Sequence, residues 1–112
     1  MKIVNGKHDV DFDNGVWIDG IGDEDCCASN YLDTEQFVIG DEYPDMTLSQ
    51  LKKAIKVKDD GFILKDSQKT PKWCQARSEQ NGYYSDMTTL YIGDKNKKIE
   101  LARLSGEATC PY

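Results

Sequence analysis

Four cysteines and one histidine are the side chains best equipped for chemistry in this 112-residue chain: Cys26, Cys27, Cys74, Cys110 and His8. Together they could supply the ligands of a structural zinc ion. Their spacing argues against it, because zinc knuckles use cysteines two to four residues apart, whereas neighbours such as Cys26 and Cys27 on extended backbone point to opposite faces. Reduced, buried and inert thiols are the expected state. A nucleophilic cysteine or serine needs a base that a third group orients. The single imidazole, His8, stands between Lys7 and Asp9 at the start of an extended segment, where a solvent-facing role is expected. Neither a Gly-x-Ser-x-Gly elbow nor a phosphate-binding glycine loop occurs. Asp9-Val10-Asp11-Phe12-Asp13-Asn14-Gly15 alternates carboxylates as a calcium loop would. Its glycine is one position late, however, and its twelfth position is Gly20 rather than a bidentate glutamate. Carboxylates for glycoside chemistry are available but undirected. No catalytic residue, metal or cofactor is therefore assigned.

Recognition is the chemistry that remains, and the first elements must position it. Val10 and Phe12 alternate with aspartates, Asp13-Asn14-Gly15 offers turn chemistry, and Val16-Trp17-Ile18-Asp19 resumes an extended pattern. A three-residue loop with Gly15 in the left-handed region pairs Phe12 with Val16 and Val10 with Ile18. That register gathers Asp9, Asp11, Trp17 and Asp19 on one face, with Asp9 directly opposite Asp19, a like-charge pair that needs solvent, a cation or a basic partner to relieve it. An aromatic among acids suits a basic, partly apolar partner, although Trp17 is equally at home in a core. The acidic run beyond the hairpin adds Asp23, Glu24 and Asp25 to this partner-binding set. An alternative set, Arg77, Tyr83, Tyr84, Lys52 and Lys53, would provide charge and stacking for a small nucleotide-like ligand. The third possibility is a zinc-stabilised or metal-dependent domain built on the four cysteines.

Other elements follow from the same patterns. Residues 20–44 read as a loop-rich crossing with a helical turn near Thr34 to Phe37. Thr47 and Gln50 form a capping box ahead of a helix that puts Leu48, Leu51 and Ile55 on one face and Lys52, Lys53 and Lys56 toward its end. Phe62-Ile63-Leu64 reads as a short strand, and residues 65–72 as a polar loop closed by Pro71. Asn81-Gly82 signals a tight hairpin pairing Gln80 with Tyr83, Ala76 with Met87, Trp73 with Leu90, and Arg77 with Asp86 as an ion pair. A turn at Asp94 to Lys97 folds a last strand back, stacking Ile92 on Ile99 and Leu90 on Leu101. The expected architecture is α+β: antiparallel hairpins forming a sheet with one amphipathic helix packed on it, in a single domain spanning residues 1–112.

Composition narrows the function classes. Leu, Ile, Val and Phe together number 23, just above the roughly 20% below which chains tend to disorder. The eleven aromatic residues tip the balance toward a folded domain. Net charge is −6, which disfavours nonspecific binding to nucleic acid or an anionic membrane. Residues 1–47 carry 12 acids and 2 bases, and residues 48–112 carry 8 acids and 12 bases, so the charge is lopsided. No apolar run reaches transmembrane length, and Met1-Lys2-Ile3-Val4-Asn5-Gly6 lacks a secretory apolar stretch, so a cytoplasmic location is expected.

Asp25-Cys26-Cys27 and Asn81-Gly82-Tyr83-Tyr84-Ser85, in that order, resemble a family of small uncharacterised proteins carried by phages and bacteria. The similarity covers roughly residues 10–40 and 73–92. Relatives carry a histidine before the Asp-Cys-Cys and an acid after it, where this chain has Gly22 and Ala28. The resemblance therefore implies that any His/Cys site of the family is not kept here. It further implies an antiparallel core and a mobile-element origin, and with it a protein that acts in the host cytoplasm. Combined with the acidic amino-terminal half, the expectation is a small non-catalytic module that binds a basic surface of a host protein. Inhibition of a defence factor, or mimicry of nucleic acid, would be its role.

Overall fold

A computed structural model of the chain describes residues 1–24, 27–66, 69–80 and 84–109. Most of them lie in antiparallel strands, with one short helix. In chain order the elements are β1 (Ile3–Val4), β2 (Val10–Phe12), β3 (Trp17–Gly22), β4 (Ser29–Asp33), α1 (Leu48–Ala54), β5 (Ile55–Val57), β6 (Gly61–Asp66), β7 (Lys69–Glu79), β8 (Met87–Gly93), β9 (Lys98–Ser105) and β10 (Glu107–Thr109). One sheet has the order β1-β2-β3-β8-β9. The second is built around β7. Gln75 pairs with both Gly61 and Asp33, and Arg77 with both Glu107 and Tyr31, so β4 runs along one edge of β7 while β6 and β10 follow one another along the other. β10 is parallel to β7, and β5 completes the sheet beyond β6.

Both sheets turn their apolar faces to one core. Val10, Phe12, Ile18, Leu90, Ile92 and Leu104 come from the first sheet, and Leu32, Phe62, Leu64, Cys74 and Ala76 from the second. Leu48 and Leu51 enter from α1. Its capping box forms as the spacing predicts: the Thr47 hydroxyl accepts from Gln50 N at 3.2 Å and Thr47 N donates to Gln50 Oε1 at 2.9 Å. The helix stops at Ala54, earlier than the lysine pattern suggests. Ile55 and Val57 are β-branched, and the segment they frame pairs with β6 instead, Ile55 against Leu64, taking Lys56 out of the helix.

The first hairpin adopts the expected register. Gly15 has φ +98°, Phe12 N donates to Val16 O at 3.0 Å, and Val10 pairs with Ile18. At the last turn, Ile92 pairs with Ile99 as expected, but a bulge after Leu90 places Leu90 opposite Ala102 rather than Leu101.

Three expectations are corrected. The described part of residues 65–72 is strand rather than loop: β6 runs to Asp66 and β7 starts at Lys69, with residues 67 and 68 outside the described residues. Leu64 pairs with Lys72 and Asp66 with Lys69, so two residues, Thr70 and Pro71, stand opposite Lys65, and the bulge places Pro71, which has no N–H to donate, where the ladder is already interrupted. Second, β7 and β8 do not form a hairpin. Ala76 pairs with Leu32, Met87 with Ser105, Trp73 with Ile63, and Leu90 with Gly20 and Ala102. The two strands belong to different sheets, each with its own partners on both edges. Asn81, Gly82 and Tyr83 lie outside the described residues. Third, the crossing of residues 20–44 contains β4, and β1 and β10 are further strands that local pattern did not announce.

The crossing is made possible by two glycines. A Cβ at Gly20 would collide with the Leu32 side chain, and one at Gly22 with the carbonyl oxygen of Asn30, so their bare backbone lets β4 lie directly over β3. No helix among the described residues is long and apolar enough to cross a membrane.

Candidate functional site

The outer face of the first hairpin carries a connected set of interacting carboxyl, imidazole and indole groups. Strand alternation sends Val10 and Ile18 to the core and leaves Asp11, Trp17 and Asp19 on the opposite face. Asp11 is the anchor of the loop before β2. Its Oδ2 accepts from His8 N at 2.8 Å, and its Oδ1 lies 2.8 Å from His8 Nδ1, which must donate to a carboxylate. The loop wraps so closely that a Cβ at Gly6 would strike the Asp11 carboxyl group. Held this way, the imidazole stacks on the Trp17 indole, with centroids 4.0 Å apart and planes 3° from parallel.

His8 is therefore not the solvent-facing strand residue that its neighbours suggest; its side chain is 17% exposed and fixed on both an edge and a face. Trp17 is on the outer face as the register requires, yet only 9% exposed, because His8 covers it and its ring fills the space above Gly93. Its Nε1 donates to Asp94 O at 3.4 Å, tying the hairpin to the β8–β9 turn.

Asp9 and Asp19 meet as the register demands. Asp9 N donates to Asp19 Oδ1 at 3.1 Å, and Gly20 N donates to Asp9 Oδ2 at 2.9 Å. Asp9 as a residue is exposed. Its carboxyl group, however, is turned onto Gly20 and Asp19. Loss of water around it, reinforced by the Asp19 charge and a hydrogen bond between the two carboxyls, outweighs the Gly20 N–H and lifts its pKa to about 6. Among the described residues no lysine or arginine forms an ion pair with either carboxyl.

The rest of the predicted partner-binding set is dispersed. Asp23, past the far end of β3, accepts from Arg103 Nη2 and Ser85 Oγ, both at 2.6 Å; these hydrogen bonds hold its carboxyl below the ordinary range. Glu24 is exposed, and Asp25 lies outside the described residues. Asn30 Nδ2 donates to both Asp23 O and Ser85 O, at 3.1 and 3.0 Å. Asp23 and Asn30, on either side of residues 25–27, thus meet Ser85 in space.

The alternative ligand set is not brought together. Arg77 Nε donates to Asp33 Oδ2 at 3.2 Å, not to the expected Asp86, which instead accepts from Ser105 Oγ at 2.8 Å. The cause is the separation of β7 and β8 into different sheets. Lys52 and Lys53 are exposed in the last turn of α1, a helix that packs on β5, β6 and β8. Tyr84 is half-buried, its N–H donating to Gln80 Oε1 at 2.7 Å, and Tyr83 lies outside the described residues.

Nor do the described thiols form one site. Cys74 is fully buried, its Sγ donating to Asp33 O at 3.3 Å; burial, with the Asp9 and Asp33 charges adding, pushes its pKa up to about 12. That is an inert thiol. Cys27 is exposed, a correction to the expectation of burial that follows from its place in the turn before β4. Cys26 and Cys110 lie outside the described residues. The calcium-like run also diverges: Asp9 turns to Asp19, Asp11 to His8, and Asp13 Oδ1 accepts from Lys2 N at 3.0 Å. Among the described residues no three His, Cys, Asp or Glu side chains are arranged to hold a metal ion.

Sequence reasoning passed over His8, Lys7 and Lys95 as a group. The one available signal was the three-residue spacing of His8 and Asp11. The approach of Lys95 depends on pairing β3 with β8, which no local pattern announces. No family model, curated protein or solved structure matches the chain.

Proposed function

We propose that the protein is a small non-catalytic binding module of phage or prophage type that engages a basic surface of a host protein through the outer face of its first hairpin. The observation that carries this reading is the Asp9–Asp19 pair. Two carboxyls held together, with no lysine or arginine paired to either among the described residues, hold a local repulsion that a partner's lysine or arginine would relieve on docking. Along the same face of β3, Ile21 is 45% exposed, placing an apolar contact next to the carboxylates. Trp17 contributes indirectly, as the platform that sets His8, rather than as an inserted anchor.

An acidic face of this kind attracts proteins that handle nucleic acid, since it presents negative charge where they expect phosphate. A defence factor of the host is the partner that a mobile-element setting favours. The test compares immobilised wild-type protein with an Asp9→Asn/Asp19→Asn variant in lysate of the host bacterium at low and high salt. Basic proteins retained by the wild type at low salt, released at high salt and missed by the variant are expected. Retention of nothing at either salt, or of the same proteins by both forms, would overturn the proposal.

A further inference from the structure

A cleft of about 340 Å³ opens at the end of the first hairpin, between the loop preceding β2 and the β8–β9 turn. Its charged groups are not equivalent. Asp11 is committed to His8 through both oxygens. Asp94 Oδ1 accepts from Asn96 N at 2.8 Å and Lys97 N at 3.0 Å, and these backbone donors hold its carboxyl below the usual range, so this acid too is satisfied within its own turn. The cations are different. Lys7 and Lys95 are both exposed, and neither forms an ion pair among the described residues. Lys95 reaches over the hairpin turn, its Cε close enough to touch a Cβ built on Gly15, at 3.5 Å. An otherwise acidic molecule therefore has, at this cleft, two ammonium groups with unspent attraction beside an aromatic stack.

We infer that this cleft binds a small planar anion, a single ring bearing a phosphate or carboxylate group, with the acid between Lys7 and Lys95 and the ring against His8 where it rests on Trp17. The volume sets the size. Small-molecule sites run from roughly 300 to 1,000 Å³, and this one lies at the lower end, suited to one ring and its acidic group rather than to a dinucleotide. The donors set the charge: two lysines favour an anion, while Asp11 is engaged by His8 and Asp94 by the backbone N–H groups of its own turn. The cleft adjoins the Asp9–Asp19 pair on the same face of the hairpin but takes the opposite charge through different side chains, Lys7 and Lys95, so the lysine variant and the Asp9/Asp19 variant test the two readings separately.

The experiment is an NMR titration of labelled protein with phenyl phosphate, with benzoate, and with phenol as the uncharged control. Saturable shifts of the Trp17 indole N–H and His8 ring signals are expected with at least one of the two anions, with the Trp73 indole unmoved; the tighter anion identifies the acidic group. Phenol should produce no saturable response. A Lys7→Gln/Lys95→Gln variant alters only exposed side chains and should bind at least about tenfold more weakly, the scale of losing charge-assisted contacts. No saturable shift with either anion, an equal response to phenol, or unchanged affinity in the double variant would overturn the assignment.

Discussion

The two ends of β3 handle negative charge in opposite ways. Beside its first half, Asp19 meets Asp9, and carboxyl faces carboxyl; just beyond its last residue, Asp23 meets Arg103 and Ser85. The Asp9 carboxyl is raised to about 6, mainly by loss of water, and the Asp23 carboxyl is lowered, first by Ser85. The carboxyls flanking the two ends of β3 are therefore shifted in opposite directions. The acidic bias of residues 1–47 is neutralised where the fold brings in arginines from the second half, as at Asp23–Arg103 and Asp33–Arg77, and left without a lysine or arginine partner at Asp9 and Asp19. Lopsided charge in a sequence becomes a surface property only where strand pairing fails to bring in the opposite sign.

The largest effect should come from breaking the bar that separates these ends. Gly22 lies against the Asn30 backbone, where an added Cβ has no room and the obstacle is not a flexible side-chain tip. Gly22→Ala forces β4 away from β3 and disturbs the Asn30 bonds to Asp23 O and Ser85 O. A loss of about 2–3 kcal/mol is expected in urea unfolding, in line with overpacking elsewhere. Unchanged stability would mean that the crossing is looser than this contact implies.

A smaller effect, with a diagnostic sign, should follow Asp19→Asn. A carboxyl whose folded pKa lies above its ordinary 3.8 binds its proton more tightly in the folded state, so stability falls as pH rises from about 4 through about 6. The cost is fully present above that window and absent below it. Asp19→Asn removes the charge and the competing acid, so its melting temperature should exceed the wild type's by a few degrees at pH 7.5 and by progressively less toward pH 4. The size of the gain is limited because most of the Asp9 shift comes from loss of water around its carboxyl, which Asp19→Asn leaves in place. A pH-independent difference would assign the change to something other than the carboxyl pair.

The face that bears this pair was legible because every determinant is local. Gly15 sets the loop, the loop sets the register, and alternation puts Asp9 opposite Asp19 within eleven residues. The helix start was legible for the same reason, since Thr47 and Gln50 meet within one turn. The failures are non-local. Asn81-Gly82 looks like hairpin chemistry, but turn residues cannot reveal that β7 is taken by β4, β6 and β10 and β8 by β3 and β9. Gly20 and Gly22 read as loop residues because the reason for them, the passage of β4 overhead, lies on another strand. The cleft fails similarly: His8 and Asp11 are neighbours in sequence, whereas Lys95 arrives from more than eighty residues away.

The smallest effect belongs to the far end of β3, and its sign should be the reverse. Arg103→Gln leaves Asp23 with Ser85 and without its cation. Both side chains are well exposed, so water and salt screen the pair and the melting temperature should drop by only about a degree or two at pH 7 and low ionic strength. Because the Asp23 carboxyl is lowered in the folded state, its contribution is present above the ordinary value of 3.8 and disappears as pH falls through the lower folded value. The difference between Arg103→Gln and wild type should therefore shrink below pH 4 and in molar salt. The two variants then separate the ends of one strand: relative to wild type, Asp19→Asn gains stability as pH rises from about 4 through about 6, and Arg103→Gln loses it as pH rises through the lowered Asp23 value and no further above 3.8. If both titrate in the same direction, the opposition between the two ends is not electrostatic in origin.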